Sequence, residues 1–155
     1  MEYSLSFKIT KIIECSNSPE VMHALKPYEL FIRDERSMHN WTFLHDSVLI
    51  QKLHAIRACL KFGIDVNART DYGDTPLHMA CRVKKAKSEV VQELLNAGAD
   101  LTAKDGSGMT PIQYARENKL LGLVTILENE PARRRWARRS DWLATVVMAS
   151  AHPKD

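Results

Sequence analysis

Apolar side chains recur along the middle of this chain at three- and four-residue intervals, in three separated runs. Ile56, Cys59 and Leu60 form the first. Val90, Val91, Leu94 and Leu95 form the second, and Leu123, Val124, Ile126 and Leu127 the third. That spacing places each set on one face of a helix. Gly63 and Gly98 follow the first two runs, where a helix end commonly takes a residue of positive φ. Ahead of each run stands a shorter helical pattern opened by threonine: Thr42-Phe43-Leu44-His45, Thr75-Pro76-Leu77-His78 and Thr110-Pro111-Ile112-Gln113. Threonine caps a helix start, and proline is tolerated at the first helical position because its missing N–H would be unpaired there anyway. Phe43 stands in the proline place of the first unit, so that start is less preset. Asn40, Gly73 and Gly108 fall in the loops just before the threonines, at tips that call for left-handed backbone.

These elements repeat in register. Thr42 lies 33 residues before Thr75, and Thr110 lies 35 residues after it. The stretch Leu60 to Ala68 lines up with Leu95 to Ala103. Thr75-Pro76-Leu77-His78-Met79-Ala80 matches the T-P-L-H-x-A signature of a known repeat family, and the chain resembles ankyrin-repeat proteins on this ground. The resemblance implies an all-α solenoid: a β-turn finger, an inner helix, a turn and an outer helix per unit, stacked with right-handed twist and almost no sheet. It also implies that His45 and His78 bond to the backbone of a neighbouring finger rather than to a metal. The second unit departs from the family, with two extra residues in a lysine-rich inter-helix turn between Arg82 and Ser88, and the third carries Gln113 for histidine. Asn67 resembles an asparagine that is hydroxylated in many members, although Cys59 stands where a leucine is usual eight residues earlier.

One such unit cannot bury its own apolar face, and about three are needed for stability, with polar-faced caps closing the ends. The chain is therefore divided into a flank at residues 1–37, repeats at 38–70, 71–105 and 106–130, and a second flank at 131–155. In the first flank, alternation of Tyr3, Leu5, Phe7 and Ile9 suggests a short strand, whereas Ile9, Ile12 and Ile13 suit a helix. Ser18-Pro19-Glu20 reads as the start of a helix that Pro27 then interrupts. In the second flank, a helix starting at Pro131 gathers Trp136, Trp142, Leu143, Val146 and Val147 on one face, with arginines bordering it or opposite. This predicts a basic amphipathic capping helix.

Net charge adds one distinction. The chain of 155 residues carries +3, but five arginines at 133, 134, 135, 138 and 139 supply it, leaving 17 basic against 19 acidic residues elsewhere. Arg133, Arg134, Arg135, Arg138 and Arg139 form the alternative candidate site, a patch for an anionic ligand, a membrane surface or nucleic acid. Three cysteines show no metal spacing, and Cys59 and Cys81 fall on the helical core pattern, so buried free thiols in the cytoplasm or nucleus are expected. The amino-terminal stretch does not read as a secretory signal.

No phosphate loop, nucleophile elbow or metal-ligand spacing occurs, and the chain is expected to be non-catalytic, without cofactor or metal. The resemblance implies binding to another protein through finger tips and the concave inner helices, as an adaptor or a stoichiometric inhibitor or effector, by a chain that is monomeric when free. The candidate partner-binding residues are Met38, His39 and Trp41 in the first finger, Asp71, Tyr72 and Asp74 in the second, Met109 in the third, and Arg82 and Val83 at the end of an inner helix. Leu49, Ile50, Glu117 and Asn118 are the other concave positions. Asp71 and Asp74 are expected to be solvated. Trp41 and Tyr72, about one repeat apart, are expected on one edge of the stack, partly exposed, as the anchors of the interface.

Overall fold

The computed structural model describes residues 5–15 and 20–130. Nine α-helices occur among them: α1 (Leu5–Cys15), α2 (Val21–Leu25), α3 (Glu29–Asp34), α4 (Phe43–Leu49), α5 (Leu53–Lys61), α6 (Pro76–Arg82), α7 (Ser88–Asn96), α8 (Pro111–Glu117) and α9 (residues 121–130). A 3-10 turn over Lys26–Tyr28 joins α2 to α3, at the proline that breaks the helix. No strand occurs among the described residues. The helix pairs α4/α5, α6/α7 and α8/α9 are the three predicted units. Inner helices contact inner helices, α4 with α6 and α6 with α8, and outer helix α5 contacts α7.

The strand suggested near the amino terminus is a helix instead. Ile9 and Ile13, one helical turn apart, are 0% and 1% exposed, and Ile12 is half-buried beside them. The helical period therefore wins over the two-residue alternation, because it gathers the isoleucines on one buried face. Val21 and Leu25 of α2 and Ile32 of α3 join the same core, and α2 lies against α5. That core continues through Leu44, Ile56, Leu77, Leu94 and Leu127 along the whole stack. At roughly 25 cal/mol per Å² of apolar surface, this shared burial is the main force holding the units together.

The inner helices start as the threonines predict. Thr42 and Thr75 each accept a hydrogen bond from the backbone N–H three residues on, while the Nδ1 of His45 or His78 accepts from the threonine N–H at 3.2 Å. Gln113 reproduces the second bond, its Oε1 accepting from Thr110 N–H at 2.8 Å. The inter-helix turns of the first and third units hold Gln51 and Lys119, both at φ +57°, a left-handed conformation that the sequence did not announce. The two-residue insertion removes that requirement from the second unit, since none of residues 83–87 has positive φ. Gln51, 9% exposed, instead accepts the Lys87 N–H at 2.8 Å and so fastens the inserted turn to the unit before it.

Candidate functional site

Three fingers project beside the inner helices, and all close with the same pair of backbone bonds. Ser37 N–H donates to Trp41 C=O, Thr70 to Asp74 and Asp105 to Met109, at 2.9 to 3.0 Å. Within each loop, the N–H of Asn40, Gly73 or Gly108 donates back to the first of those residues. These three sit at φ +60°, +78° and +79°, as their residue types predict. Successive fingers are then stitched tip to tip: Asp71 N–H donates to His39 C=O at 2.9 Å, and Gly106 N–H to Tyr72 C=O at 2.8 Å.

The histidines complete the ladder. With Nδ1 occupied as an acceptor, Nε2 carries the proton; in His45 it donates to Asp74 C=O at 3.4 Å, and in His78 to Met109 C=O at 3.0 Å. Both rings are wholly buried, which holds His45 down at about 4 and lowers His78 in the same sense. They are neutral structural donors at neutral pH, in keeping with the role implied by the resemblance. Cys59 and Cys81 are also buried and free, and burial raises both thiols to about 12.

Between the second and third fingers and α6 lies an open groove of about 630 Å³. Trp41 closes one side and Tyr72 projects from the finger above it. Asp71, Asp74, Arg82 and Asp105 supply the charge, and Gly106 and Ser107 complete the lining. Tyr72 is 58% exposed, its ring 5.3 Å from the exposed His39 ring. Trp41 is half-buried, packed on the core with its ring 6.1 Å from that of His45. The two anchors therefore share one groove, but not one register: the position equivalent to Tyr72 is His39, and that of Trp41 is Asp74.

Asp74 departs from expectation. It is 6% exposed rather than solvated, and its Oδ2 is gripped by Arg82 Nη1 at 2.6 Å. Arg82 also donates to the Tyr114 hydroxyl at 3.2 Å and stacks 4.5 Å from the centre of that ring. The Tyr114 hydroxyl in turn donates to Asp105. Burial pushes the Asp105 carboxyl up, but the hydrogen bonds from Tyr114 and from the Met109 and Ser107 amides outweigh it and leave the group below its usual range. A polar chain thus runs from the second finger across α6 to α8 and the third finger. Asp105 and Tyr114 carry little signal in the sequence; the Tyr that comes after Thr110-Pro111-Ile112-Gln113 is the only local one.

Of the other candidates, Asp71 is exposed, with Oδ2 3.9 Å from His39 Nδ1, and Val83 and Met109 are half-buried. Leu49 and Ile50 are exposed, at 47% and 37%. Asn118 is occupied structurally, donating to Cys81 C=O at 3.1 Å. Asn67 is likewise engaged, accepting from Asp100 N–H at 2.8 Å. The Met38 side chain and the arginines at 133–139 lie outside the described residues, as does the amphipathic helix expected to start at Pro131.

The family model for ankyrin repeats, in three copies, matches residues 11–105. The chain belongs to the ankyrin-repeat family. The match begins inside α1, earlier than the first predicted repeat, and ends before α8. Among relatives, the cattle (Bos taurus) ankyrin repeat and SOCS box protein 5 is 35% identical over 88 residues, which are 57% of this chain and 26% of that protein. The Drosophila melanogaster neurogenic locus Notch protein is 34% identical over 89 residues, 57% of this chain and 3% of that one. Human protein phosphatase 1 regulatory subunit 27 is 34% identical over 68 residues, 44% of this chain and 43% of that protein. This chain therefore spans well under two thirds of each of these relatives. Ankyrin stacks generally act as protein-interaction modules, and no helix among the described residues is long and apolar enough to cross a membrane.

Proposed function

We propose that this ankyrin stack is a non-catalytic binding module, an adaptor or stoichiometric inhibitor that holds a partner protein in the groove between its fingers and inner helices. The observation that carries this reading is Tyr72: a large aromatic ring, 58% exposed, standing over a groove walled by a second aromatic residue. Aromatic side chains are enriched at the energetic centres of interfaces. A relative named as a regulatory subunit of a phosphatase supports a regulatory role of this general kind. Two buried unpaired thiols support the cytoplasm or nucleus as its compartment. The flank at residues 1–37 serves as the cap of the first unit, a role supported by its burial of Ile9, Ile13, Val21 and Leu25 against the stack.

The test is a titration of the partner, purified from the native source, against wild type, Tyr72→Ala and the outer-helix variant Asn96→Ala. Tyr72→Ala should weaken binding about thirtyfold, the equivalent of ~2 kcal/mol for a central interface residue, with folding changed by less than ~0.5 kcal/mol. Asn96→Ala should leave affinity unchanged. Equal affinity for all three proteins would reject the groove as the interface.

A further inference from the structure

The groove has a charge imbalance that its own residues do not resolve. Three carboxylates, Asp71, Asp74 and Asp105, line it against one guanidinium, that of Arg82. Asp105 is committed to Tyr114 and to the finger amides. Asp74 spends one oxygen on Arg82; the other, Oδ1, is buried with no hydrogen-bond partner among the described residues. Its side chain is only 9% exposed, so water does not readily make good the deficit. A buried carboxylate oxygen without a donor is costly, and such a group points to something the isolated chain lacks. Asp71 stands exposed at the rim, beside Tyr72.

The pose of Arg82 shows what this site accommodates. Its guanidinium carbon lies 4.5 Å from the centre of one aromatic ring while the group bonds a carboxylate. Arginine suits such places because its planar fork pairs with carboxylates and stacks on ring faces, which the ammonium of lysine does not do. The other half of the groove repeats the same components, two aromatic residues, Trp41 and Tyr72, and a carboxylate, Asp71, with no guanidinium among them. We propose that this half is a receptor for an arginine side chain of the partner protein, held between the aromatic residues and Asp71. This rests on the reading of the groove as the interface and names the chemistry the partner must bring.

The experiment is a heteronuclear NMR titration of the full chain with N-acetyl-arginine methylamide and with its neutral isostere, N-acetyl-citrulline methylamide. The arginine compound should shift the amides of Asp71, Tyr72 and Gly106 and the Trp41 indole; the citrulline compound should not. Asp71→Asn, a change at an exposed position that leaves the rest of the spectrum in place, should weaken the arginine compound at least fivefold. Equal shifts with both compounds, shifts scattered over remote acids such as Glu89 and Asp100, or undiminished binding to Asp71→Asn would overturn the proposal. So would a full chain with Arg133, Arg134, Arg135, Arg138 and Arg139 changed to Gln that binds the probe only after those changes, since the occupant would then be the chain's own tail. The two readings fail separately. A purified partner weakened by Tyr72→Ala but indifferent to Asp71→Asn leaves the interface standing and removes the arginine. Probe binding in the groove with a partner indifferent to Tyr72→Ala removes the interface instead.

Discussion

Acidification from pH 7 to pH 5 should destabilise this fold through its buried histidines. His45 is 0% exposed and its native value is about 4, against 6.5 unperturbed. Between those values the unfolded chain binds a proton that the native ring refuses. Stability therefore rises with pH, is complete above about 6.5, and is lost as pH falls toward 4. For His45 alone the loss from pH 7 to pH 5 is about 2 kcal/mol, and His78, lowered in the same direction, adds to it. The hydrogen-bonded carboxyls of Asp100 and Asp105 are depressed, so they lose their contribution only at lower pH; Asp46, raised by burial, opposes the histidines at the acid end. The third unit supplies a control, since Gln113 caps Thr110 as histidine caps the others. His45→Gln should lose about 1 kcal/mol at pH 7, the worth of one hydrogen bond to the next finger, while removing about 2 kcal/mol of the loss between pH 7 and pH 5. Urea denaturation of both proteins at pH 5, 6 and 7, followed by tryptophan fluorescence, measures this. An unchanged pH slope in His45→Gln would refute the assignment of the slope to this ring.

The same geometry predicts three other outcomes. Gly73→Ala should cost more than Gly108→Ala in thermal or urea denaturation: both carry the ~1–2 kcal/mol strain of left-handed backbone, but only at Gly73 would the new methyl stand 2.8 Å from Gly106 N and break the tip-to-tip stitch. Equal losses would show that the stitch contributes nothing. Arg82→Ala should destabilise by about 1–3 kcal/mol by leaving the buried Asp74 carboxylate unpaired, and Asp74→Asn in that background should recover part of the loss; an additive double mutant would dissociate the two residues. Iodoacetamide at pH 8 should leave Cys59 and Cys81 unmodified in the native protein and label both in urea, because burial holds their thiols protonated and out of reach. Native labelling of either, read by mass spectrometry of its peptide, would contradict the packing.

The repeat was legible because each of its features has a local cause: a threonine cap, a helical apolar period, and glycine or asparagine where the backbone turns left-handed. The site was legible only in part. Tyr72 and Asp71 could be placed because finger tips leave side chains exposed by construction. Asp74 could not, because its burial depends on Arg82, eight residues later at the far end of α6, and on Tyr114 in the next unit. The register of Trp41 with Asp74 rather than Tyr72 already follows from the 33-residue offset between Thr42 and Thr75, and the closing bonds of the fingers agree with it. Gln51 shows the same limit as Asp74: a polar residue in a turn reads as solvated until the insertion of the next unit folds onto it. In the amino-terminal flank, two periodicities competed over the same few residues, and tertiary burial of Ile9 and Ile13 decided between them.

The central claim is that partners bind in the groove beneath Tyr72. Photo-crosslinking tests it most directly: benzoylphenylalanine placed at position 72, and in a second protein at position 96 on the outer helix, irradiated with the purified partner and mapped by mass spectrometry. The account predicts a partner crosslink from position 72 and none from position 96. Crosslinking from position 96 with none from position 72 would place the interface on the outer helices and contradict it.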